Sequence, residues 1–444
     1  QVMRLLPLLL LFLSACTFVQ DRYPELPPGP YRAVLKLENN PITPNPKGQP
    51  LPEKMNLEFE EVTDGELPFN FTVTYENDST YHLDIQNGDE LIRVPAENIH
   101  YGRDLTQARD TIRIDFPIYD SYISAYHEES IIEGVWVVNY RDQYRIPFVA
   151  KFGQNHRFTQ LKKEPMVDLS GEWAMEFSGG NEDTPYPGLA EFQQNGNDLR
   201  GTIRTETGDY RYLAGTIQAN KFYLSVFDGS HAFLFEGMAE ADGTLNGSFR
   251  SGRHYITGFT AQRSSDFALA DPDSLTVLRE DRPLSFAFPT IDGDTVNLED
   301  ERYTDRVKLV QIMGTSCPNC KDETNYLKAY QAEHPEQDFD IITLAFERYG
   351  PDDERSKKAI QRFIDRMKIE WPVLLAGTFN KKKAGEALPM LNHVLSFPTL
   401  LFLDGENKVV RIHTGFNGPA TSKFAEFDAS FKATMAALTE KTSK

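Results

Sequence analysis

Between Val307 and Tyr330 the chain reads VKLVQIMGTSCPNCKDETNYLKAY, and no other stretch restricts the fold as much. A mainly apolar run, Val307 to Met313, breaks at Gly314; Cys317-Pro318-Asn319-Cys320 follows and leads into a helical pattern. A buried strand that delivers two cysteines onto the first turn of a helix is the layout of a thiol–disulfide site. The exposed amides and the dipole at a helix start stabilise thiolate, pulling a cysteine from about 8.5 toward roughly 3.5–7.5. Two residues of spacing allow Cys317 and Cys320 to bridge within one turn. Cys317 then attacks a partner disulfide and Cys320 resolves the mixed disulfide. Pro318 suits the early-helix position, where its missing N–H costs no intrahelical bond.

Two other uses of such a pair fit less well. A structural zinc normally needs four ligands. The chain has three cysteines in all, and His334, His393 and His413 show no ligand spacing, so no metal site is expected. A purely structural cystine this tight would constrain little chain. The remaining cysteine, Cys16, sits far upstream. Arg4 precedes the apolar run Leu5 to Leu13, which ends Leu13-Ser14-Ala15-Cys16. A basic start, a short apolar stretch and small residues describe a secretory signal rather than a spanning helix. The Leu-Ser-Ala-Cys ending resembles a bacterial lipobox, which implies a signal peptide over 1–16 and a lipid on Cys16. The other reading is an ordinary signal peptide whose processing discards Cys16. Both place the chain outside the cytoplasm, and more than one acyl chain gives stable anchoring.

At 444 residues the chain has room for about three domains. Its 40% apolar and 12% aromatic content supports filled cores. A net charge of −20 argues against a nucleic-acid partner, which needs clustered Lys and Arg. Residues 17–30 hold four prolines and read as an extended tether. Over 31–165, alternating segments such as Phe69–Tyr75, Thr111–Phe116 and Gly134–Val138 predict a β-sandwich-like domain. Over 168–263, glycines at short intervals and a Gly171-Glu172-Trp173 start predict a meander or small barrel with an aromatic core. Residues 264–283 are polar and rich in Asp, and read as a linker. From Leu284 strands alternate with helices, implying parallel βαβ units through to residue 444. Pro398–Leu403 and Val409–His413 form a hairpin, and Lys423–Leu438 a last helix.

Residues 284 to 440 resemble the thioredoxin fold in its extracytoplasmic TlpA/ResA-like branch of Bacteroidota type. The resemblance rests on Phe286-Ala287-Phe288-Pro289, on Gly314 to Glu323 around the cysteines, and on Ser396-Phe397-Pro398-Thr399. With the two β segments upstream, the expected architecture is multidomain: two N-terminal all-β domains followed by the C-terminal α/β thioredoxin-like domain that the resemblance implies. It also implies a cis Pro398 beside the cysteines, with Phe397 and Thr399 presenting backbone to a substrate together with Pro318 and Asn319. Glu323 is implied as the acid that tunes the thiols, and Gly415 to Pro419 as a turn approaching the site. Ser316 stands where the family usually has Trp, and Gln311 where thioredoxin carries a buried acid. Phe346-Glu347-Arg348 also matches segments of this branch.

The expected function is a lipid-anchored, extracytoplasmic thiol–disulfide oxidoreductase that reduces protein disulfides, with no cofactor beyond the Cys317–Cys320 disulfide. Its expected partners are a protein thiol or disulfide client, an external electron-donor thiol protein and, through the lipid, a membrane. Two alternatives are a peroxiredoxin-like peroxidase and a surface binding or scaffold lipoprotein with an auxiliary redox domain. Against the first, Thr315 stands two rather than three positions before Cys317.

Overall fold

The computed structural model describes residues 25–37, 62–179 and 184–442. Cys16 and the expected signal segment lie outside them. Among the described residues, no helix is long and apolar enough to cross a membrane.

Nine described strands, from Gly29–Lys36 to Arg145–Phe152, form one antiparallel sheet in the first domain. Glu90–Val94 is one edge and Ile99–Asp104 the other, yet the chain passes from edge to edge through residues 95–98 alone. Eight strand-to-strand steps would cover ~38 Å in a flat sheet. The connection reaches at most ~18 Å, so the sheet must be rolled. The sandwich expected over 31–165 is therefore a single curled sheet. Alternation reports which face of a strand is buried, not whether neighbouring strands share a sheet. The expected tether also ends early. Leu26 is fully buried, Tyr75 Oη donates to its carbonyl at 3.1 Å, and the first strand begins at Gly29.

The second domain is a closed antiparallel barrel over Gly171–Arg263. Tyr186–Asn195 pairs with Gly171–Phe177 on one side and with Asp198–Thr205 on the other, which removes both edges. Trp173, Phe177, Phe192, Phe222, Phe235, Phe249 and Phe259 fill its interior. The two β domains share packing, because Phe227 of the barrel enters the core of the first sheet. Its ring stacks on Phe69 at 4.4 Å and meets Trp136 edge-on at 5.2 Å.

The third domain is a five-stranded sheet in the order Val373–Thr378, Phe339–Glu347, Val307–Met313, Thr399–Leu403, Val409–Thr414. The first three strands are parallel and the last two antiparallel. Val307–Met313 is central and buried at every position, as its mainly apolar run suits, with Lys308 and Gln311 buried among the apolar residues. Helices Pro318–Glu333, Glu354–Met367 and Phe424–Thr442 pack on this sheet around two apolar cores. A short helix at Lys381–Ala387, not anticipated in the sequence, is capped by Asn380. The expected linker is docked rather than free. Asp273 pairs with His413 and Arg411, and Arg279 donates to Leu391 O at 2.8 Å.

Candidate active site

The central strand ends at Met313, and Gly314 to Ser316 carry the chain to the start of the Pro318–Glu333 helix. Gly314 fits because a side chain there would collide with the Phe379 ring. Cys317 is the helix N-cap: its Sγ accepts the Cys320 N–H at 3.4 Å. Cys317 is partly exposed and Cys320 fully buried, both as free thiols. Hydrogen bonding from the Cys320 thiol, then from the Cys320 amide, lowers the Cys317 pKa, and the Arg348 charge adds to this. Burial, then the bond to Cys317, pushes the Cys320 thiol well up. One sulfur is partly exposed with its pKa lowered while the other is buried with its pKa raised. That is the division of labour between an attacking and a resolving cysteine.

The Phe397–Pro398 peptide bond is cis, as the resemblance implied. The Cys317 thiol donates to the Phe397 carbonyl at 3.5 Å, so this loop and the helix start face each other. Gly415 N–H donates to the Pro398 carbonyl at 2.9 Å, which brings the turn after the last strand to the site. Thr399 is buried and pairs within the sheet with Ile312 and Thr414, its hydroxyl donating to Ser396 O. Pro318 is buried at the first helical position, whereas Asn319 is half-buried.

Glu323 lies one turn into the helix with its side chain wholly buried. Gln311 Nε2 donates to its Oε2 at 2.9 Å, and its Oε1 has no partner among the described residues. Burial raises its pKa to about 8, against the opposing Gln311 bond. Gln311 also binds Thr324 and Thr343, so this amide anchors the carboxyl instead of supplying one. A second buried carboxyl, Glu347, accepts from Thr315 N at 3.1 Å and Thr315 Oγ1 at 2.8 Å. Burial lifts it to about 7. Next to it, Arg348 donates to Ser316 Oγ at 3.1 Å and lies 3.8 Å over the Phe379 ring. Sequence reasoning picked out Phe346-Glu347-Arg348 but gave no role to either charge; their position at the end of a strand parallel to the central one was the available signal.

The β domains reach the site through residues that sequence reasoning did not single out. Ser230 Oγ of the barrel donates to the Ser316 carbonyl at 3.1 Å. Ser396 Oγ donates to the Thr207 carbonyl at 2.8 Å, and Asn319 Nδ2 to the Asp209 carbonyl at 3.3 Å. Gly208, between them, has φ +128°, and a Cβ there would fall 2.5 Å from Asn319 Nδ2. Behind this turn the Arg211 guanidinium pairs with Glu90 of the first domain, Asp228 of the barrel and Asp322 of the redox helix. Burial works against the Arg211 charge, but the three carboxylates outweigh it and raise its pKa. No group of His, Cys, Asp and Glu among the described residues has the arrangement of a metal site.

Residues 280–430 match the family model described as Redoxin. The C-terminal domain is thus similar to redoxin domains along those residues. No curated protein sequence matches the chain. Among solved structures, it is similar to the thioredoxin domain of a thiol-disulfide oxidoreductase from Bacteroides vulgatus, at 21% identity and TM-score 0.26 over 35% of this chain and 99% of that one. A thiol-disulfide oxidoreductase from Bacteroides fragilis is similar at 16% identity and TM-score 0.25, over 33% and 97%. StoA from Bacillus subtilis is similar at 19% identity and TM-score 0.24, over 31% and 93%.

Proposed function

We propose that this protein reduces disulfides outside the cytoplasm, held to a membrane by lipid on Cys16. Cys317 is the attacking thiolate and Cys320 the resolving thiol. A thiol protein outside the chain supplies the electrons, in keeping with the thiol partners that this enzyme class implies. The observation that carries the reading is the asymmetry of the pair: Cys317 partly exposed at a helix start beside the Phe397 carbonyl, Cys320 buried behind it. Glu323 is the acid–base group nearest in role, because a carboxyl that titrates near 8 can take the proton Cys320 must lose. Extracytoplasmic residence and the lipid are supported by the sequence segment ending at Cys16.

The test is mixed-disulfide trapping with a neutral model disulfide, 2-hydroxyethyl disulfide, followed by mass spectrometry. Cys320→Ser should accumulate the adduct on Cys317, and Cys317→Ser should neither react nor turn over. Equal turnover by Cys317→Ser and the wild type sinks the proposal. Lipidation is checked separately by metabolic labelling with an alkyne fatty acid, which Cys16→Ser should abolish.

A further inference from the structure

The face of the redoxin domain on which a strand could pair with the Phe397 backbone is already taken. Thr207 to Asp209 bind Ser396, Asn319 and the Gly418 amide, and a Cβ on Gly415 would lie 3.1 Å from Thr207. Cys317 nevertheless keeps part of its surface, while Ser316 and Phe397 beside it are buried. The residues gripping this rim, Ser230 and Arg348 on Ser316 and Thr207 on Ser396, are also walls of a cavity of about 730 Å³ between the barrel and the redoxin domain. That volume is the size of a small-molecule pocket.

The walls are basic and aromatic. Among the described residues, Arg141, Arg348 and Lys381 line the cavity with Glu206 as the lone acid, and Tyr186, Tyr210, Phe233 and Tyr255 supply ring surface. Arg348 is held over Tyr140 at 4.8 Å as well as over Phe379, so its charge has a fixed place near Cys317. This runs against the rest of the molecule, whose net charge of −20 repels anions. A local reversal of sign beside Ser316, the residue before the partly exposed Cys317, selects for what binds there.

We propose that this cavity, whose walls Ser230 and Arg348 hold Ser316 next to Cys317, anchors the substrate of the Cys317–Cys320 pair, and that this substrate is a low-mass disulfide bearing carboxylates. The proposal rests on the thiol–disulfide reading above and names its substrate class. Cys317 thiolate attacks one sulfur of R–S–S–R, breaking that bond, releasing RS⁻ and forming a Cys317–S–S–R mixed disulfide. Cys320 gives up its proton and attacks Cys317 Sγ, forming the Cys317–Cys320 disulfide and releasing the second RS⁻. Two electrons pass from the protein dithiol to the substrate, and the two thiolates take up protons as RSH. Arg141, Arg348 and Lys381 hold the carboxylates while the tyrosine rings cover the chain between.

The experiment is a single turnover of the full, pre-reduced chain, which needs no electron donor. It compares 3,3′-dithiodipropionate (anionic), 2-hydroxyethyl disulfide (neutral) and cystamine (cationic), with oxidation of the pair followed by quenching, alkylation and mass spectrometry. The expected order of second-order rate constants is anionic, neutral, cationic, each step roughly tenfold or more. Arg141→Gln and Lys381→Gln should each reduce the anionic-to-cationic ratio several-fold, and 0.5 M salt should shrink it further. A ratio of one or below overturns the proposal while leaving disulfide reduction intact, as does reduction of insulin at the rate of dithiodipropionate. Failure of all three small disulfides to oxidise the pair overturns the function and the substrate class together.

Discussion

Glu323 carries a charge problem that a helix surface residue would not have. Its pKa rises from 4.5 to about 8 because burial penalises the anion. With the folded value above the unfolded one, the native state keeps its proton longer. Stability is therefore greatest below about pH 4.5 as far as this group is concerned, and is lost as pH climbs toward about 8. Each pKa unit is worth about 1.4 kcal/mol, so the loss by pH 8 is on the order of a few kcal/mol. Glu323→Gln should become progressively more stable than the wild type between pH 5 and 8 in urea melts. The same change should slow resolution of the Cys317 mixed disulfide by about a hundredfold, since it removes the proton acceptor. Equal pH dependence of stability in the two proteins would mean that Glu323 titrates normally.

At the scale of elements, the end of the Phe339–Glu347 strand sets the electrostatics of the neighbouring helix start. Arg348, just past that end, favours the Cys317 thiolate. Arg348→Gln should raise the Cys317 pKa, read as an upward shift of the thiolate absorbance titration near 240 nm; an unchanged titration would remove Arg348 from the account. The strand–cysteine–helix order was legible in the sequence because apolar periodicity and helix-capping act over a few residues. Val307–Met313 and Pro318–Glu333 form where that local pattern places them. Pro398 was legible only through resemblance, since spacing alone does not bring residue 398 beside residue 317. Glu347 and Arg348 were visible as residues without a role, because parallel pairing of Phe339–Glu347 with Val307–Met313 is what brings them to Thr315 and Ser316. Closure of the barrel was only half legible. Each hairpin shows in the glycine and aromatic pattern, but the pairing of the first strand, Gly171–Phe177, with the last, Tyr255–Arg263, leaves no separate mark.

For the molecule as a whole, one turn and one buried cation are among the contacts through which the first two domains act on the third. Gly208 tolerates its φ of +128° and its contact with Asn319 because it has no side chain. Gly208→Ala should lift the turn from the helix start, lowering stability by about 1–2 kcal/mol. It should also admit a larger substrate, so insulin reduction should rise several-fold in the same protein. A destabilised variant with no gain toward insulin would show that the turn does not limit access. None of this arrangement was legible in the sequence, where residues 205–211 look like an ordinary hairpin tip. Long-range docking depends on complementary surfaces more than 100 residues apart, such as Arg211 with Asp322.

Asn319, one of the two residues between the cysteines, spends its side-chain amide on the Asp209 carbonyl of the barrel. Whatever the redox state of the pair does to the position of Asn319, the barrel feels, and whatever holds the barrel in place feeds back on the pair. The two equilibria form a thermodynamic cycle, so the coupling is equal in both directions. If docking of the barrel favours the dithiol by 1.4 kcal/mol, the two-electron potential of the pair rises by about 30 mV. Oxidation then loosens the docked arrangement by the same free energy. The β domains are in that sense part of the redox couple, and the potential of this protein belongs to the assembled chain rather than to its C-terminal third.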